Sequence, residues 1–419
     1  MQHRIIVLGA GYTGTTAAGR LARRLRREDV SLTLVNAEPD FVERVRMHQV
    51  ATGQDLPSRP FSEMFAGTGV ALRLAKVTGI DTERRTVTVT DADVEGIGGD
   101  QGTGGGEELP YDTLVYALGS HGDDGDVPGA AEHAHQLASR PGALRLRARL
   151  AELDAGRPVV IVGGGLTGLE AATEIAEARP ELNVTLAVRG GLGDWLSPKG
   201  RRHLWKVCDG LGISVRERTA VTAVAPDHVT LADGTAVPSA ATVWTAGFAV
   251  HPLARATTLD VTSTGRIVVD GTMRSLSHPD VYAIGDAAMA MGPGGKPLRM
   301  SCASGIPMAW QAADAIAARL TGGKLPNAPL RYFNQCVSLG RREGLIQYVT
   351  ADDRAVPAAL TGRFAAVYKE LVCKGAAWSV AHPTLGLPSR RRAVVRAPGG
   401  PATAAPAASA APAAEALRS

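Results

Sequence analysis

The chain has 419 residues, enough for two or three domains that each bury a core of their own. Hydrophobic residues make up 45% and charged residues 21%, an ordinary α/β composition, and a net charge of +4 without a dense basic run speaks against a nucleic-acid partner. The four cysteines, at 208, 302, 336 and 373, have no C-x-x-C and no metal-ligand spacing, which argues against a redox-active dithiol or a zinc site and points to a reducing compartment.

Arg4-Ile5-Ile6-Val7-Leu8 reads as a strand buried on both faces, and Gly9, Gly11 and Gly14 follow it at once. A helix is expected over Thr15–Arg27, with Ala17, Ala18, Leu21, Ala22 and Leu25 inward and Arg20, Arg23, Arg24, Arg26 and Arg27 on a solvated face. In this context Gly9 permits a tight turn, Gly11 lets a pyrophosphate approach the backbone, and Gly14 lets the helix pack on the strand. Tyr12 and Thr13 lie within the turn, whose N–H groups and helix dipole suit an anion. Val30–Val35 is the next strand. A ribose-binding carboxylate is usual at its end; here Asn36 stands there and Glu38 follows, and either can accept from a ribose hydroxyl. Phe41–Gly53 reads as helix plus loop, with His48 in a structural role.

Val70–Val77 and Thr86–Thr90 read as antiparallel strands, and Gly96–Gly106 as a flexible hairpin insertion. Leu109–Ser120 reads as a strand ending in small residues, where Ala117 and Gly119 leave room for a ligand against the backbone. Ala143–Leu153 is helical. Arg157–Val162 then repeats the opening strand, followed by Gly163, Gly165, Leu166, Thr167 and Gly168 and a helix over Leu169–Ala178. Two such turns imply two dinucleotide sites. Val184–Arg189 is the partner strand of the second turn, with Val188 and Arg189 where a carboxylate is usual. A cation there suits a 2′-phosphate, with Arg201 and Arg202 just beyond, so NADH and NADPH are both open.

Val229–Leu231 enters a hairpin at Asp233-Gly234-Thr235, and Thr242–Phe248 is a strand passing through Gly247. Gly265–Asp270 follows, then Val281–Ala288: a strand, the glycine turn at Gly285, and Asp286 opening a helix, where its carboxylate can accept from a polyol chain. Ala309–Leu320 is helical, and strands flank Leu339–Gly344. Arg363–Val380 carries Phe364, Val367, Leu371 and Trp378 at helical spacing, which suits a core helix, a homodimer contact or an interfacial membrane helix. From Ala397 the chain is Ala/Pro-rich and expected to be disordered. The N-terminus enters a strand directly, which leaves no room for a signal peptide, and no apolar run approaches the roughly 18 residues that span a membrane.

These segments, in this order, resemble the flavoprotein pyridine-nucleotide oxidoreductases with two dinucleotide-binding domains, and among them most the type II NADH dehydrogenases. The residues behind the resemblance are Val7–Gly14, His48–Gly53, Tyr111–Gly119 (with Leu118 in place of Thr), Gly163–Glu170, Trp244–Gly247, Ala283–Ala288 and Ser338–Gly344. This sequence departs from the family at Asn36 and Val188, where acids are usual, and at Cys302–Gln311, which lacks the family's Ala-Gln pair at the quinone site.

The resemblance implies two Rossmann-like domains: an FAD domain over 1–120 and 246–325, and an NAD(P)H domain over 121–245 inserted within it. A C-terminal interface or membrane-association region over 326–395 and a tail over 396–419 follow. It further implies FAD as cofactor, NADH or NADPH as donor, and a quinone or other small acceptor. Glu170 becomes a candidate at the nicotinamide or in proton relay, Asp286 a flavin contact, and the setting cytoplasmic, peripheral to the membrane. A soluble flavin oxidoreductase acting on a small molecule and a slow flavin redox sensor are the competing readings.

Overall fold

The computed structural model describes residues 1–92, 106–386 and 390–395. The glycine-rich stretch lies almost wholly outside the described residues, and the Ala/Pro tail wholly so. Two sheets organise the chain. The larger runs Val281–Ala283, Thr113–Tyr116, His3–Leu8, Val30–Asn36, Val70–Asp81, Thr86–Asp91, Glu107–Pro110, and its first five strands are parallel. The smaller runs Ser214–Arg216, Asn183–Ala187, Pro158–Val162, Ala241–Trp244, Ala134–Gln136, all parallel. Ile5 to Leu8 and Val159 to Val162 are buried throughout, as central parallel strands covered on both faces require. In each sheet the chain leaves the central strand in one direction and later returns on its other side. That reversal opens a crevice at the carboxyl ends, in front of Gly9 in one sheet and Gly163 in the other.

The first helix spans Tyr12–Arg24, three residues earlier at each end than the periodicity suggests. Gly11 is itself the N-cap, its carbonyl accepting the Thr15 N–H, so the glycine turn is already helix. The chain becomes extended at Leu25, which bridges to Arg392. The arginines expected on its solvated face are partly engaged: Arg20 and Arg24 reach Asp314 at 2.6 and 2.5 Å. Asp314 lies on the helix Cys302–Thr321, which packs on the first helix. That second helix begins seven residues before Ala309, and Pro307 in its second turn forgoes one backbone hydrogen bond.

Val70–Asp81 is one strand that pairs parallel with Val30–Asn36 and then antiparallel with Thr86–Asp91. Asp286 opens only a single 3₁₀ turn, Gly285–Ala287, not a helix. The C-terminal part is an antiparallel sheet of Asn334–Ser338, Gly344–Val349 and Ala355–Thr361 packed against the helix Arg363–Ala381. That helix buries Ala365, Cys373, Ala377 and Val380 and turns its larger apolar residues outward.

Candidate functional site

The two glycine turns are built alike. A Cβ on Gly14 would lie 1.8 Å from the Gly9 carbonyl oxygen, and one on Gly168 1.9 Å from that of Gly163. The third glycine of each turn is therefore dictated by helix–strand packing. The first glycine, at φ +89° for Gly9 and +121° for Gly163, adopts backbone that favours glycine and abuts Ala117 or Thr245. The middle glycines differ. A Cβ on Gly11 or Gly165 would meet nothing within 4 Å. No protein contact explains a glycine there, whereas a ligand lying against the backbone does.

In front of the first turn is a cavity of about 520 Å³. Of the residues singled out in the sequence, Gly9, Gly11, Tyr12, Thr13, Asn36, Ala117, Gly119, Thr167, Gly247, Gly285 and Asp286 line it. Asn36 Oδ1 accepts the Ala10 N–H at 2.9 Å and fixes the turn against the second strand. Glu38 is exposed, off the cavity wall, and its carbonyl accepts from Asn36 Nδ2. Asp286 accepts the Ser120 hydroxyl at 2.7 Å. Gly14, Gly163, Gly165, Leu166, Gly168 and Arg189 belong to the turns or the second strand end and do not line this cavity. Thr167 does line it, so the two crevices adjoin.

The structure adds residues that carried no local signal. Arg44 lines the cavity beside Gly119, its Nη1 3.7 Å from where a Cβ would stand. Burial pushes its guanidinium below arginine's ordinary range, and Asp286 opposes that shift. A half-buried cation, open backbone at the turn and a carboxylate lining the same cavity are the donor set a dinucleotide with a polyol chain needs, so the residues present fit a flavin dinucleotide.

Glu170 does not line the cavity. It stands in the second turn of the helix Leu166–Ala178, 6% exposed. Its Oε1 accepts the Ser338 N–H at 3.1 Å and pairs with Lys369 Nζ at 3.0 Å. Burial pushes the Lys369 ammonium down most strongly, but Glu170, with smaller help from Cys373 and Cys336, holds the group above its usual range. His48, 4% exposed, brings Nδ1 to 3.7 Å from Glu170 Oε2. Burial depresses that imidazole to about 4 against the pull of Glu170, so it is neutral near pH 7. The Lys369 side chain is therefore a largely buried partner of the helix Leu166–Ala178, and the pair ties three distant segments together. One helical turn on, burial raises Glu174 to about 7, opposed by Arg341. The four cysteines are free thiols, and no cluster of His, Cys, Asp and Glu suited to a metal occurs among the described residues.

Around the second strand end, Val188 is buried and Arg189 exposed. Arg201, read from the sequence as a helper of Arg189, instead pairs with Asp194 at 3.3 Å and Glu217 at 3.4 Å.

The chain matches the model of the pyridine nucleotide-disulphide oxidoreductase family over residues 3–317. It is 31% identical to an NADH dehydrogenase-like protein of Mycobacterium tuberculosis, covering 73% of this chain and 78% of that one. It is 27% identical to a demethylphylloquinone reductase of Synechocystis, covering 86% and 90%. Its fold superposes on an NDH2 of Plasmodium falciparum in complex with NADH with a TM-score of 0.76, at 14% identity, covering 92% and 97%. The doubled glycine turn, the paired parallel sheets and these matches lead to one conclusion: the chain belongs to the pyridine nucleotide-disulphide oxidoreductase family, as an oxidoreductase akin to the NADH dehydrogenases.

Proposed function

We propose that the chain is an FAD-dependent NAD(P)H dehydrogenase that delivers electrons to a quinone at a membrane surface. The observation that carries this reading is the open space over Gly11 and Gly165 in two adjoining crevices. FAD would lie along Gly9 to Thr13, with Asn36 toward the adenosine end, Arg44 and Ala117 to Gly119 along one side, and Gly247, Gly285 and Asp286 beyond. The nicotinamide nucleotide would take Gly163, Gly165, Leu166, Thr167, Gly168 and Arg189. A bound flavin supplies the redox chemistry, accepting a hydride from the reduced nicotinamide and passing electrons to a second substrate. The protein's part is to bind, orient and tune. The helix N-terminus at Leu166 offers N–H groups to a pyrophosphate. The Asp286 carboxylate accepts from a polyol hydroxyl. Glu170 acts as a positioning residue that keeps Lys369 protonated in a buried setting.

Two observations support a quinone at a lipid surface. The Synechocystis relative bears the name of a quinone reductase. The helix Arg363–Ala381 exposes Phe364 at 82%, Val367, Tyr368, Leu371 and Trp378, with Arg363 and Lys374 alongside. No described helix is long and apolar enough to cross a membrane, so this face would lie in the interface.

The test is sedimentation with phosphatidylcholine–phosphatidylglycerol vesicles, paired with NAD(P)H-driven reduction of a short-chain quinone. Leu371→Glu, at an exposed position, is expected to weaken vesicle binding by about tenfold to a hundredfold, because one large apolar side chain contributes about 1.5–3 kcal/mol on burial. Turnover with a soluble dye, but none with the quinone in vesicles or in detergent, would exclude the quinone reading.

A further inference from the structure

We propose that the second dinucleotide site is built for an adenosine 2′-phosphate, and hence that NADPH is its preferred donor. The inference rests on the reading that the Gly163–Gly168 turn takes a nicotinamide dinucleotide, and it names which one.

The chain contains its own reference for the geometry. In the first turn the Gly9 N–H donates to the Val35 carbonyl at 2.8 Å; in the second the Gly163 N–H donates to the Ala187 carbonyl at 2.9 Å. Val35 and Ala187 are therefore equivalent, Val188 is the counterpart of Asn36, and Arg189 that of Ala37. Both Asn36 and Ala37 line the first cavity. Positions 188 and 189 thus flank the adenosine end of the second site. The packing agrees: a Cβ on Gly164, inside the second turn, would lie 2.5 Å from Val188 Cγ1.

A carboxylate at this place accepts from the 2′- and 3′-hydroxyls of an unphosphorylated ribose and repels a 2′-phosphate. Val188 can do neither. It is 2% exposed and has no polar group to offer. Arg189 follows it, exposed, with no side-chain hydrogen bond or ion pair among the described residues. The backbone beside it carries a second exposed arginine, Arg218, whose side chain likewise has no hydrogen bond or ion pair among the described residues. The Arg218 N–H donates to the Gly190 carbonyl at 2.9 Å, and the Thr219 N–H to the Val188 carbonyl at 2.9 Å. These bonds hold the exposed Arg218, at φ +52°, against the strand end. The neighbouring acids are occupied elsewhere. Asp194 Oδ2 accepts the Gly191 N–H at 2.7 Å and Glu217 Oε1 the Leu192 N–H at 2.5 Å, while both carboxylates face Arg201. Two cations without protein partners among the described residues, no carboxylate at position 188 and an apolar side chain in its place are the donor set of a phosphomonoester site.

The direct test is calorimetric binding of adenosine 2′,5′-bisphosphate against adenosine 5′-monophosphate, which differ only in the 2′-phosphate, on the purified flavoprotein. Contacts to a charged group of this kind correspond to a preference of about tenfold to a hundredfold for the bisphosphate. Arg189→Ala is expected to remove most of that preference, and Arg189→Ala with Arg218→Ala to abolish it. The same preference should separate NADPH from NADH in anaerobic flavin bleaching. The replacement Val188→Glu with Arg189→Ala should invert it. Equal binding of the two nucleotides by the unaltered protein, or a preference that survives in the double variant, would overturn the 2′-phosphate site yet leave a dinucleotide dehydrogenase. If neither nucleotide binds and neither NADH nor NADPH bleaches the flavin, the underlying dehydrogenase reading falls, and this inference with it.

Discussion

Replacing Gly11 with valine is expected to give a folded protein that purifies without flavin, its affinity reduced by at least about a hundredfold. A β-branched side chain at this position points into open space and touches no protein atom within 4 Å of its Cβ, so packing is spared. It fills the place where a pyrophosphate would contact backbone N–H groups, each such charged hydrogen bond contributing about 1.5–3 kcal/mol. Gly14→Val serves as the contrast. There the new Cβ falls 1.8 Å from the Gly9 carbonyl oxygen, which is backbone and cannot swing aside, so the helix must leave the strand. That variant should lose thermal stability as well as flavin. Absorbance and melting midpoints of the two proteins decide the matter; a yellow Gly11→Val protein would mean that the cavity is not the flavin site.

Lys369→Met is expected to destabilise the protein by about 3–5 kcal/mol, because it leaves the Glu170 carboxylate buried without its cation. Glu170→Gln combined with Lys369→Met should recover much of that loss, since a neutral amide can still accept the Ser338 N–H. The readout that separates positioning from mere structure is the pH profile of acceptor reduction in the stable double variant. A positioning role for the pair predicts a displaced profile at unchanged flavin content. An identical profile would confine Glu170 and Lys369 to holding the helix Arg363–Ala381 in place.

Much of this fold is legible locally because its central strands are short, wholly apolar and each followed by a glycine turn. Periodicity finds such strands, and the spacing of Gly9, Gly11 and Gly14 against Gly163, Gly165 and Gly168 reports the doubled glycine turn. Asp286 emerges for the same reason, from a strand, a glycine and an acid in sequence. The Glu170–Lys369 pair is different. It joins helices far apart in the chain, and a lysine on an amphipathic helix carries no mark of being buried. Arg44 has no local mark either, since an arginine near a helix start is usually solvated. The C-terminal helix shows a third limit: it is apolar on two faces. Spacing locates Phe364, Val367, Leu371 and Trp378 on one of them, but the small residues Ala365 and Ala377 take the inner side, where the adjoining sheet leaves little room.

The central claim, two adjoining dinucleotide sites that exchange electrons, is tested most directly by one spectrum and one titration. The purified protein should show an oxidised-flavin band, and anaerobic addition of NADPH or NADH should bleach it in a stoichiometric step. A flavin band that neither nucleotide bleaches, or a protein that folds without binding flavin at all, would contradict the account.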